Sequence, residues 1–238
     1  MAAALTGVTP DYGFHRDELR RPSVTFEVEA KLDEASDFSL LGMTIGRQIE
    51  ALEKKPVPLI RGISAANTDD LKAFCASLAT YGGSALFHME GFTPEANLYE
   101  LPPMSYKISR SDLDDAQMAL SNADSNDVDF ISLGCPHLSI QEIARLAELL
   151  RGKQVKKEFW ITTARPTRAL ADSLGYSQVI EASGAKFAVD TCCVVAPIRG
   201  RFTGMASDSA KACYYAGGKN RFKTLFRSFK QVVEEALK

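Results

Sequence analysis

Five cysteines and three histidines are the residues of this 238-residue chain best suited to hold a metal or attack a substrate, and several sit where apolar runs stop. In "ISLGCPHLS" (residues 131–139), Gly134 and Pro136 break the run around Cys135, and His137 follows. A thiol in a turn is open to a metal or substrate, although free cysteine is also among the most buried residue types. In "VDTCCVVAP" (189–197), Cys192 and Cys193 follow Asp190 and Thr191. Neighbours in extended chain point to opposite faces. One of the pair is therefore expected at a site and the other in the core, and Cys192, nearer the strand end, is the expected ligand. Cys75 and Cys213 fall in helical patterns and read as packing residues.

His15 in "DYGFHRDELRR" and His88 in "ALFHMEG" read first as structural histidines, with ligand contact as the alternative. The "HRDELRR" run is a solvated face or a clamp for an anion. In "GMASDSAKACYYAGG" (204–218), Ser207, Asp208 and Ser209 suit the N-cap of a helix. Unpaired amides at a helix start also attract anions, and Lys211 adds a cation for a carboxylate. No C-x-x-C pair occurs, which argues against a zinc ribbon or a thioredoxin-like site. No Gly-rich nucleotide loop of the usual form is present. A Cys–His nucleophile pairing Cys135 with His88 or His15 stays open.

The elements that must position these groups follow from the pattern. Strands are expected at residues 22–30, 57–63, 84–91, 106–109, 128–134, 158–162 and 186–190, from β-branched and aromatic runs. Helices are expected at 36–53, 67–83, 111–122, 139–152, 167–175 and 228–238, with a short one entered from the loop at 207–218. Ser139 with Glu142 forms a capping-box pattern, Thr68 and Asp69 read as caps, and Gly82–Gly83 reads as a stop. Strand and helix alternate, so the fold class is α/β, with mostly parallel sheets covered by helices. The polar stretch 121–129 divides an α/β unit at 1–125, holding the HRDE and FHMEG motifs, from one at 126–238, holding GCPH, DTCC and SDSAK. In such sheets ligands gather at the carboxyl ends of strands, where three of these motifs fall.

The composition is that of an ordinary globular protein: 45% hydrophobic, 24% charged, with a formal charge of -2 from 28 Lys and Arg against 30 Asp and Glu. Nothing there predicts a nucleic-acid or membrane partner. An odd number of dispersed cysteines fits a reducing compartment, and the cytoplasm is the expected location.

Taken together, "TPDYGFHRDELRRP", "ALFHMEGFTPEA", "ISLGCPHLSIQEI", "VDTCCVVAP" and "SDSAKACYYAGG" resemble, in the same order, the catalytic region of aconitase X, a group of the aconitase superfamily of iron–sulfur hydro-lyases. The resemblance implies aconitase-like three-layer units and dehydration of a small hydroxylated carboxylic acid. The expected substrate is cis-3-hydroxy-L-proline, with mevalonate 5-phosphate as the alternative. It further implies an iron–sulfur cluster with Cys135 and Cys192 as two ligands, Ser209 as the base and Lys211 holding the substrate carboxylate. His88 and His137 are implied to line the substrate pocket, and His15 is expected as a further substrate contact. The expected partners are a region ahead of the "TPDYG" motif, supplying another cysteine ligand, and a small swivelling domain or subunit. The chain alone is expected to be incomplete as an enzyme. A non-catalytic binding or assembly module is the rival expectation.

Overall fold

The computed structural model describes residues 1–52 and 56–238. An exposed N-terminal segment comes first: a short helix α1 (Ala2–Thr6) and two 3-10 turns (Gly13–His15 and Asp17–Leu19), none burying a side chain. The first unit is β1 (Val24–Val28), α2 (Ala35–Glu50), β2 (Pro58–Arg61), α3 (Thr68–Gly82), β3 (His88–Met89), β4 (Ser105–Ile108) and α4 (Arg110–Ala119). The second begins with β5 (Phe130–Leu133), α5 (Ile140–Leu150), β6 (Glu158–Thr163), α6 (Arg165–Ser173), α7 (Tyr176–Ala182) and β7 (Lys186–Val189). It closes with β8 (Gly204–Ser207), α8 (Ala210–Tyr215), β9 (Lys223–Phe226) and α9 (Phe229–Ala236).

Among the described residues the strands form two sheets, ordered β3-β2-β1-β4 and β7-β6-β5-β8-β9. Every strand pairing in them is parallel, so the fold is the α/β class read from the sequence. Sheets covered on both faces need strands apolar all through, and β5, "FISL", is buried at every position. No helix among the described residues is long and apolar enough to cross a membrane.

Several local expectations are corrected. The helix expected over 36–53 ends at Glu50, and Glu53 lies outside the described residues. The strand expected over 84–91 pairs only at His88–Met89. Asn67, not Thr68 or Asp69, is the N-cap of α3 and forms a capping box with Asp70. Ser109 caps α4, two residues ahead of Ser111. The expected Ser139–Glu142 box is present, and Gly83 ends α3 in the left-handed conformation. Strands β8 and β9 and helix α7 were not expected. The "GMAS" of β8 has no β-branched residue and is buried at all four positions, so it shows no alternation.

Helix α2 packs against α3 at very short range. A Cβ on Gly42 would lie 2.5 Å from the Phe74 carbonyl oxygen, and one on Gly46 would lie 2.9 Å from the Gly82 nitrogen. The pair joins the second unit through Ser39, whose hydroxyl accepts from the Ala210 amide at 2.9 Å, and Tyr81, whose hydroxyl donates to the Ala210 carbonyl at 2.9 Å. Ala210, Cys213 and Phe226 of the second unit belong to the same apolar core as β1, α2 and α3.

Candidate active site at the facing carboxyl ends of the two sheets

In the second sheet the chain runs β5, β6, β7 in one direction and then returns to place β8 and β9 on the other side of β5. The crevice between β5 and β8 is therefore a topological switch point, where parallel sheets present loops that diverge and leave room for a ligand. Gly134 and Cys135 lie just past β5; Asp208 and Ser209 lie just past β8. Gly134 has φ +103°, and a Cβ there would stand 2.1 Å from the Thr162 carbonyl oxygen, so only glycine allows this turn. Threonines of β6 hold the rest of the loop: the Leu138 amide donates to the Thr162 carbonyl at 3.0 Å, and the Thr163 hydroxyl donates to the Leu138 carbonyl at 2.8 Å.

The first sheet turns its carboxyl end toward the same place. A cavity of ≈ 20 Å³ is lined by Ser39 of α2, Asp69 and Lys72 of α3, and by Cys135, Glu142, Asp208 and Ser209. That volume holds about one water. A neighbouring cleft of ≈ 230 Å³ shares Ala35, Asp69 and Glu142 with it and adds Glu34 and Arg145.

Burial sets the electrostatics. It pushes the Cys135 thiol up to about 12, with the Cys193 thiol adding to the rise. A hydrogen bond from Ser209 and the charge of Lys211 pull the other way, and Cys192 adds a smaller push upward. Cys193 is raised to about 11, again mainly by burial, against a hydrogen bond from Ser132. Burial raises the Cys213 thiol as well, with Cys193, Asp208 and Cys135 contributing. Asp208 is raised to about 7 by burial and by the Glu142 carboxylate. Burial likewise raises Glu142, opposed by the Ser139 amide and Lys72.

Of the expected site residues, Cys135 and Ser209 line one cavity, while Lys211 and Cys192 act on the Cys135 thiol only through their charge. His137 stands beside that cavity, its Nε2 donating to the Thr191 carbonyl at 2.8 Å. His15 lies elsewhere, on the exposed N-terminal segment with Nε2 3.4 Å from the Thr9 hydroxyl. His88, buried at the outer edge of the first sheet, donates from Nε2 to the Arg20 carbonyl at 2.7 Å and lines a different pocket with Arg20 and Glu95. Cys192 and Cys193 are not in extended chain: β7 stops at Val189, and Asp190 at φ 56° turns the backbone into an irregular loop, so the opposite-faces argument does not apply. Cys193 is buried and packs with Phe130 and Met205. Cys75 is exposed, contrary to a packing role, whereas Cys213 is buried.

Sequence reasoning did not single out Lys72, and read Asp69 and Glu142 only as capping residues. Their place in the first turns of α3 and α5, at strand carboxyl ends, was the available signal. Thiols are suitable donors for an iron–sulfur cluster, and Cys135 lies within electrostatic reach of both Cys192 and Cys193. Among the described residues no group of three or more His, Cys, Asp or Glu is arranged to hold a metal ion. The thiols that could contribute to such a cluster are Cys135 and those of the Cys192–Cys193 loop.

Fold and site together define a two-sheet parallel α/β protein with a thiol, hydroxyl and ammonium constellation at its facing carboxyl ends. The family model for the aconitase X second domain matches residues 22–119, and that for the aconitase X third domain matches 128–238. The chain belongs to the aconitase X family. Over 218 residues it is 38% identical to the phosphomevalonate dehydratase large subunit of Thermococcus kodakarensis, covering 90% of this chain and 55% of that one. It is 33% identical to the cis-3-hydroxy-L-proline dehydratase of Hypocrea jecorina, covering 98% and 41%. The holo-form crystal structure of Thermococcus kodakaraensis aconitase X matches it with a TM-score of 0.90 at 36% identity, covering 99% of this chain and 60% of that one. The chain thus spans about half the length of the curated relatives it matches.

Proposed function

We propose that this chain carries the thiol-bearing part of an aconitase X hydro-lyase that removes water from a small hydroxylated carboxylic acid. The observation that supports it most is that Cys135, just past β5, and Ser209, just past β8, line one cavity at the β5–β8 crevice. Cys135 and Cys192 would hold the cluster from this chain. When bound, the cluster supplies a Lewis-acidic iron for the substrate hydroxyl.

The remaining roles fall to the chain's own side chains. Lys211 pairs with the substrate carboxylate and fixes its approach. Ser209 is the proposed base for the proton beside that carboxylate. Its hydroxyl is buried, accepts from the Ala212 amide at 3.1 Å, and so is held in one orientation.

Three of the relatives named for phosphomevalonate, at 37–38% identity, are more similar to this chain than those named for hydroxyproline, at 32–33%, while two others named for phosphomevalonate stand at 32% and 26%. That favours mevalonate 5-phosphate as the substrate, with cis-3-hydroxy-L-proline, the first expectation from the motifs, as the second reading. The name "large subunit" carried by the former relatives supports a small-subunit partner. The test is anaerobic reconstitution with iron and sulfide, with the remaining aconitase X regions supplied, followed by assay on both substrates. Charge-transfer absorption and turnover of one of them are expected. An assembly that stays colourless and inactive would rule the proposal out in favour of a non-catalytic module.

A further inference from the structure

We infer that His137 is a positioning residue that ties the Cys135 loop to the Cys192 loop, and that Lys72 anchors the same loop to the first unit. The inference rests on the reading of these thiols as partners, and concerns how they are kept together.

The sheet does not bring them together. Cys135 follows β5 and Cys192 follows β7, with β6 between them. Adjacent strands lie about 4.8 Å apart, so two strand spacings, roughly 10 Å, separate the points where these loops begin. The loops must lean over the end of β6 to meet. His137 spans that gap: it lies two residues past Cys135, and its Nε2 donates to the carbonyl of Thr191, the residue before Cys192, at 2.8 Å. A carbonyl only accepts, so the ring carries its proton on Nε2. The far loop is held from the other side too, where the Arg165 amide donates to the Asp190 carboxylate at 2.9 Å.

A second tie comes from the first unit. Lys72 Nζ donates to the His137 carbonyl at 3.1 Å and to Asp69 at 2.7 Å, and lies 3.5 Å from Glu142. The Ser139 hydroxyl donates to the other Asp69 oxygen at 2.7 Å. The segment 137–142 is thus fastened at its backbone to α3 and at the His137 ring to the Cys192 loop. The Nε2 of His137, read from the motifs as a substrate contact, is engaged in holding the two loops at a fixed spacing.

The test uses the full chain without metal. Diamide takes two electrons and two protons from a pair of thiols and leaves a disulfide between them, and the rate depends on how the thiols are already placed. The measurement is the rate at which a disulfide joins Cys135 to Cys192 or Cys193, read by mass spectrometry of the linked peptides. His137→Ala is expected to slow it about tenfold through lost preorganisation. His137→Gln, whose amide N–H reaches a similar point, is expected to restore most of the rate. Should His137→Ala fail to fold, Lys72→Met carries the same expectation of slowing, since it leaves the ring in place and removes the anchor. An unchanged rate in His137→Ala, or His137→Gln as slow as His137→Ala, overturns the inference. Cluster absorption tests the hydro-lyase proposal and the cross-loop rate tests this one, so either can fail alone.

Discussion

At neutral pH the metal-free Cys135 thiol, pushed up to about 12 chiefly by burial, keeps its proton. An activated nucleophile needs the reverse. Iodoacetamide at pH 7.5 is therefore expected to label exposed Cys75 first and Cys135 at least about tenfold more slowly, as followed by peptide mass spectrometry. Fast labelling of Cys135 would revive a cofactor-free thiol enzyme. Asp208 gives a pH-dependent prediction. Its carboxyl is raised from an ordinary 3.8 to about 7, first by burial and then by Glu142. A group whose folded value is raised contributes stability that is complete below its unfolded value and lost as pH rises through the folded one. Asp208→Asn cannot ionise, so it is expected to be more stable than the native chain at pH 8, with the gap closing toward pH 4. Urea midpoints at the two pH values decide it, and a gap that widens on acidification contradicts the burial argument.

At the scale of elements, glycines decide how closely helices and loops approach. Alanine is worth about 1 kcal/mol more than glycine inside a helix, yet in α2 the new Cβ of Gly42→Ala would meet the Phe74 carbonyl at 2.5 Å. A backbone oxygen of a neighbouring helix cannot swing aside, so a net loss of roughly 1–3 kcal/mol is expected in urea unfolding. Gly217→Ala, with nothing within 4 Å, is the control and is expected to be neutral. The chain announces helix starts well where a cap side chain and a carboxylate three residues on occur together, as at Ser139 and Glu142. It announces β8 and β9 poorly. Four buried residues in β8 and three in β9 carry neither alternation nor a run long enough to recognise.

At the scale of the whole molecule, the two units share a core. Ala210, Cys213 and Phe226 pack among residues of β1, α2 and α3. A chain cut to residues 1–125 would leave that face of α2 and α3 in water, and is expected to lose cooperative thermal unfolding. The intact chain is expected to unfold in one transition with coincident far-UV and near-UV signals. Two separated transitions, or a sharply melting fragment, would show that the shared core matters little. Tyr81→Phe removes only the bond to the Ala210 carbonyl and should cost about 1 kcal/mol.

Local pattern alone determined the alternation of strand and helix, the parallel α/β class and the loop placement of Cys135, because periodicity, caps and glycine turns are written in adjacent residues. It also carried the aconitase X resemblance, which lies in short motifs. Only the tertiary structure decided that Lys72, Cys135 and Ser209 line one cavity, that His15 and His88 stand apart from it, and that the His137 ring is bound to the Thr191 carbonyl. Those outcomes depend on strand order and on which carboxyl ends face each other. Both are set by packing among residues far apart in the chain, and no local spacing encodes them.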